Sequence, residues 1–115
     1  MIPPRSSSCV VTIVVRADDS VWARVIGALD LDAEDALAGT VTRLGELAPP
    51  SVVLDFTGVT FAGASLSHFL IRLRRTVPDA PILMQHASPG TRLVMMVTGT
   101  DRLVVQDEEL PWNAG

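Results

Sequence analysis

Apolar residues fall along this chain in short blocks that alternate between two spacings. CVVTIVV (9–15) and VWARVIGAL (21–29) are nearly continuous, rich in β-branched residues and parted by the polar RADDS, which predicts two neighbouring strands forming a hairpin at one side of a sheet. From Asp32 the period changes. In DAEDALAGTVTRLGEL, residues Ala33, Leu37, Thr40, Val41, Leu44 and Leu47 recur at helical spacing. Asp32, Glu34 and Asp35 complement the peptide dipole at the front of that helix, and APP closes it. SVVLDF (51–56), PILMQH (81–86) and RLVVQ (102–106) are short apolar runs of the kind found in strands covered on both faces, predicted to lie side by side and parallel.

Two further helices separate these strands. One opens after Gly63 and buries Leu66, Phe69, Leu70, Leu73 and Val77, with Ser67, Arg72, Arg74 and Arg75 assigned to its wet side. The other opens at SPG, where Ser88 can cap and Pro89 suits the first helical position; it continues through Leu93, Val94 and Val97 and ends near Gly99. The order is β-β-α-β-α-β-α-β, and right-handed crossovers between parallel strands turn it into a small mixed sheet with helices packed against it. The fold class is therefore α/β, with residues 9–106 as one domain, 1–8 as a flexible N-terminus and 107–115 as an acidic C-terminal tail whose Trp112 either docks or frays.

Bulk properties narrow the functional classes. Of the 115 residues 48% are apolar and 19% charged, enough for one compact core. The longest apolar runs are far shorter than the roughly 20 residues of a membrane span, and MIPPRSSSCVV lacks the pattern of an export signal, so the cytoplasm is the expected location. Cys9 stands alone and is read as a small buried strand residue. All nine basic residues are arginine, against thirteen acids, and a net charge of −4 repels a phosphate backbone, so no direct nucleic-acid binding is expected.

Chemistry-bearing residues are sparse. There is no GxxxxGK[ST] loop, GxGxxG turn, CxxC pair or HExxH helix, and neither His68 nor His86 has a nucleophile motif beside it, so no catalytic residue, cofactor or metal ligand is assigned and the chain is not read as an enzyme. Asp30 and Asp32 lack a third ligand, and Asp32 is accounted for by helix capping. Asp55, at the carboxyl end of a central strand, is read as pinning the loop that follows. Ser65 is read first as an N-cap or first-turn serine that satisfies a backbone N–H, and second as a candidate phosphoacceptor.

Taken together, GALD (27–30), VVLDFTGVTF (52–61), the helix opened by GASLSHFL and the RLVMMVTGTDRLV ending resemble, in order and spacing, the STAS domain of bacterial anti-sigma factor antagonists, over about Val10 to Gln106. That resemblance implies a partner of the histidine-kinase-like anti-sigma factor type. The contact would come from the loop 57–64 and the exposed side of the next helix, with Thr57, Gly58, Gly63, Ala64, Ser65, Ser67, His68 and Arg72 as partner-binding residues. The family typically carries Asp-Ser-Ser/Thr-Gly-Leu at the helix start, with the first hydroxyl phosphorylated by that partner. Here Gly63 replaces the acid, Ala64 the acceptor and Leu66 the glycine, and only Ser65 keeps its type. Ser65 is turned about 100° away from the acceptor position, so the usual phosphorylation switch is expected to be disabled or moved. The alternative implied by the same resemblance is a phosphorylation-independent STAS subunit of a signalling or transporter complex.

Overall fold

The computed structural model describes residues 9–106; the expectations for residues 1–8 and for the tail with Trp112 lie outside the described residues. The elements are β1 (Val10–Val15), β2 (Val21–Leu29), a 3-10 turn (Leu31–Ala33), α1 (Glu34–Leu47), β3 (Val52–Ala62), α2 (Ala64–Thr76), β4 (Ile82–Gln85), α3 (Pro89–Thr98), a second 3-10 turn (Thr100–Leu103) and β5 (Val105–Gln106). They form one five-stranded sheet in the order β1-β2-β3-β4-β5, with β1 antiparallel to β2 and every other pair parallel.

From β2 to β5 the strand order never reverses. Right-handed crossovers in one direction place each connecting helix on the same side, so α1, α2 and α3 share one face of the sheet. The core lies between them. Val21, Ala23 and Val25 of β2, Val52, Leu54 and Phe56 of β3, and Ile82 and Met84 of β4 meet Leu37, Val41 and Leu44 of α1, Leu66, Phe69, Leu70 and Leu73 of α2, and Met95 of α3. Alternation along a strand sends the intervening residues, Trp22, Val53 and Leu83 among them, to the opposite face. Each fully buried leucine or phenylalanine in such a core contributes about 1.5–3 kcal/mol.

Three expectations need correction. The strand expected over 51–56 runs on to Ala62, so residues 57–62 are extended strand instead of loop. It stays paired by bulging twice against β2, between Arg24 and Ile26 and again between Gly27 and Ala28. The first bulge falls where Asp55 Oδ1 accepts the Thr57 N–H at 3.0 Å; at the second, Gly27 has φ +106°, a conformation L side chains rarely adopt. The first helix is preceded by a 3-10 turn, which Asp30 caps by accepting the Asp32 N–H, so the cap lies two residues before the expected one. The last strand is confined to Val105–Gln106, because residues 100–103 wind into 3-10 geometry.

The inward face of α3, which the sequence left unassigned, is set by the packing. Ser88 caps it as expected, but the same serine also bonds the Thr91 hydroxyl, and Thr91 and Met95 turn inward. Leu93 and Val97 are 60% and 78% exposed, and Val94 is half-buried. The helix is apolar on more than one side, so periodicity alone could not settle its phase. Gly99 ends it in the left-handed conformation at φ +75°, as the sequence suggests.

Candidate functional site

The start of α2 is stitched to the end of β2. Gly63 is its N-cap residue and donates its N–H to the Leu29 carbonyl at 3.0 Å, while the Ser65 hydroxyl donates to the next carbonyl, Asp30, at 2.8 Å. Two consecutive carbonyls of GALD thus receive two donors from GASLS, about 35 residues later in the chain. Ser65 is 5% exposed and caps nothing; it gives its proton to a carbonyl, where the sequence suggested that it would accept from a backbone N–H. Asp30 therefore serves both ends of this corner, its side chain holding the 3-10 turn and its carbonyl holding α2.

Around that corner the expected contact residues separate into groups. Ala64, the first residue of α2, is exposed, with no oxygen on its side chain. His68 and Arg72 are exposed one and two turns further on, and the His68 Nδ1 lies 3.0 Å from Glu34 Oε1 at the front of α1. Ser67 was placed on the wet side, yet it is 7% exposed, and its hydroxyl has no hydrogen-bond partner among the described residues. A helical wheel drawn for α2 alone does not show that burial. Arg74, also placed on the wet side, is half-buried and bonds the Val77 and Ala80 carbonyls beyond the helix end.

Thr57 and Gly58 do not join this group. Because residues 57–62 are extended, five steps of strand carry Thr57 roughly 17 Å from the end of β3 and the start of α2. Gly58 instead lets β3 approach β2, since a Cβ there would come within 2.9 Å of Ile26 Cγ1. Thr60 and Phe61, the latter 57% exposed, are exposed near the start of α2; both fall within the 57–64 segment expected to make the contact, though neither was named among its residues.

Asp55 pins the segment after it, as its position suggested. Oδ1 accepts from the Thr57 hydroxyl at 2.6 Å and the Thr57 N–H at 3.0 Å, and Oδ2 accepts from Arg24 Nε at 3.1 Å. Burial pushes the carboxyl pKa upward, but the Thr57 bonds and the Arg24 guanidinium outweigh it and hold Asp55 below the ordinary carboxylate value. Burial likewise raises the Cys9 thiol, with Asp30 adding to the effect. Among the described residues no three His, Cys, Asp or Glu side chains come together as a metal site, and no helix is long and apolar enough to cross a membrane.

No protein-family model and no curated protein matches the sequence. Solved structures do. An anti-sigma factor antagonist from Mycobacterium paratuberculosis is similar with a TM-score of 0.70 and 21% identity, over 90% of this chain and 87% of that one. The STAS-domain anti-sigma-factor antagonist protein from Planctomyces limnophilus gives a TM-score of 0.72 at 17% identity, over 87% and 91% of the two chains. The unphosphorylated form of the anti-sigma factor antagonist SpoIIAA gives 0.71 at 15%, over 87% and 90%. The chain has the STAS-domain fold of anti-sigma factor antagonists.

Proposed function

We propose that this chain is a regulatory protein-binding domain of the anti-sigma factor antagonist type, which binds a histidine-kinase-like anti-sigma factor through the start and outer face of α2. The contact is made by Ala64, His68 and Arg72, flanked by Gly63 and the exposed end of β3. Ser65 and Ser67 lie beneath that face and hold its shape. One observation carries the reading: the position that bears the acceptor hydroxyl in the family is the exposed methyl of Ala64, while the neighbouring hydroxyl of Ser65 is buried against the Asp30 carbonyl. A kinase reaching this surface meets no oxygen at position 64, and reaching Ser65 requires breaking a buried hydrogen bond and unpacking the corner. Binding then depends on shape and fixed polarity, with no phosphate to switch it off. The chain works without catalysis, in the cytoplasm.

Affinity purification of the chain from its native cell, with the mass of the intact bait measured, tests this directly. An ATP-binding anti-sigma factor should co-purify with unmodified bait, and Arg72→Glu should weaken its recovery. With that partner and ATP, Ala64→Ser should accept a phosphate where the parent chain does not. Recovery of a transporter or other signalling component in its place would favour the phosphorylation-independent subunit; a phosphate on Ser65 of the parent chain would overturn the fixed-surface reading.

A further inference from the structure

α1 and α2 lie side by side on the sheet and touch at two levels. Near their starts Glu34 Oε1 meets His68 Nδ1 at 3.0 Å; near their ends they close so tightly that a Cβ on Gly45 would come within 2.6 Å of Thr76 Cγ2. Between these closures lies a cavity of about 300 Å³, with Ala38, Val41 and Thr42 on the α1 side and Arg72, Arg75 and Thr76 on the α2 side. Its α1 wall is built from short, mostly apolar side chains, and its α2 wall is cationic. Arg72 and Arg75 stand one helical turn apart, both exposed, and neither guanidinium has a hydrogen bond or ion pair among the described residues. Arg24, by contrast, is bonded to Asp55, and Arg74 to the Val77 and Ala80 carbonyls. No acid among the described residues lines the cavity, and Glu34, at its upper end, is already taken by His68. Like charges one turn apart repel. A chain of net charge −4 thus sets two positive groups together without an answering carboxylate.

We propose that this groove receives an acidic segment of the protein partner, with an apolar side chain seated on Ala38 and Val41 and a carboxylate on either side of it held by Arg72 and Arg75. The site rests on the docking face proposed above only in that the outer side of α2 meets a protein, and it specifies the chemistry which that protein brings. A guanidinium presents its N–H donors as a planar fork that fits a carboxylate two bonds at a time. Two such forks one turn apart match two carboxylates spaced about a turn apart on a helix. A free phosphate would answer the arginines but leave Ala38 and Val41 uncovered, and a nucleic-acid backbone is repelled by the net charge of the chain. An acidic protein segment meets both demands, with charge complementarity at the rim and apolar contact at the floor.

Amide NMR of the full-length chain, titrated with a short peptide that carries one leucine between pairs of glutamates, reads the groove directly. Shifts should gather at Ala38, Val41, Thr42, Arg72, Arg75 and Thr76 and should saturate. Arg75→Glu or Thr42→Glu, both at exposed positions, should weaken the peptide about tenfold and leave the Tm close to that of the parent. The peptide with lysine in place of each glutamate should produce no shifts there, and inorganic phosphate at the same concentration should not saturate the same amides. Absence of shifts in the groove, equal binding of the lysine peptide, equal occupancy by phosphate, or indifference to both substitutions would each overturn the proposal. Affinity purification separates this failure from that of the proposed function. If an anti-sigma factor is recovered, and Ala64→Arg cuts its recovery severalfold while Arg75→Glu and Thr42→Glu do not, the groove is refuted and the docking face stands. If the acidic peptide binds as described and no anti-sigma factor is recovered, the groove stands and the proposed partner falls.

Discussion

Placing an acid at position 65 and then at position 64 separates a structural hydroxyl from a signalling one. Ser65→Asp removes a 2.8 Å bond to the Asp30 carbonyl and sets a carboxylate beside that same oxygen at a site 5% exposed. The lost bond costs about 0.5–1.5 kcal/mol, since the Asp30 carbonyl keeps the Ala33 N–H at 3.0 Å, and a buried charge without a partner adds several more, of which the positive end of α2 returns at most about 1 kcal/mol. A net loss of at least about 3 kcal/mol is expected, a large share of the roughly 5–15 kcal/mol that holds a domain folded. Ala64→Asp puts the same group on the exposed first residue of the helix, where the dipole gain of about 0.3–1 kcal/mol offsets the poorer helix propensity of aspartate. Its stability should stay within about 0.5 kcal/mol of the parent. Urea unfolding with equal m-values measures both. If Ser65→Asp proves as stable as Ala64→Asp, Ser65 is no buried latch and the fixed-surface reading loses its support.

The remaining predictions concern the frame around this corner. Asp55 titrates below its ordinary value in the folded chain, so its stabilising contribution is complete above the unfolded carboxylate pKa near 3.9 and is lost as pH falls through the lower, folded value. The stability gap between the parent and Asp55→Asn, about 1–3 kcal/mol near neutrality, should shrink in urea titrations as pH falls below about 5; a constant gap contradicts the assignment. Ala48 closes α1 at φ +44°, so Ala48→Gly should stabilise the chain by roughly 0.5–1 kcal/mol, seen as a rise in Tm. The Glu34–His68 pair is largely solvated, at 30% and 56% side-chain exposure, and a double-mutant cycle with both changed to alanine should return a coupling below about 1 kcal/mol; a larger value would make it a structural clamp.

Much of the architecture was legible because local chemistry and tertiary packing agree. The hairpin, the parallel runs, the Ser88 cap, the Gly99 stop and the order of elements all rest on short-range signals that packing reinforces. Misreadings occur where a partner distant in sequence decides the outcome. Residues 57–62 look like loop because of Gly58 and the threonines, yet they remain in the sheet through two bulges enabled by Asp55 and Gly27. Ser67 looks solvated on a wheel of α2 alone, yet it is buried in the folded chain. Ser65 is the subtlest case, because its acceptor is a backbone carbonyl 35 residues earlier, and no side-chain pattern marks a carbonyl.

That last case shows why one position cannot stand in for its neighbour. On a helix, the first residue and the second differ by about 100° in direction, and here that rotation separates solvent from core. Ala64 faces outward because Gly63 and Ser65 on either side of it are tied to the last residue of β2 and the one after it, Gly63 by its N–H to Leu29 and Ser65 by its hydroxyl to Asp30. The two ties fix the first turn of α2, so the residue between them is held on display whatever its side chain. A surface fastened in this way keeps its shape whichever side chain stands at position 64, which is what the proposed docking face requires. Freeing Ser65 for modification would undo one of those ties and disturb the proposed docking face.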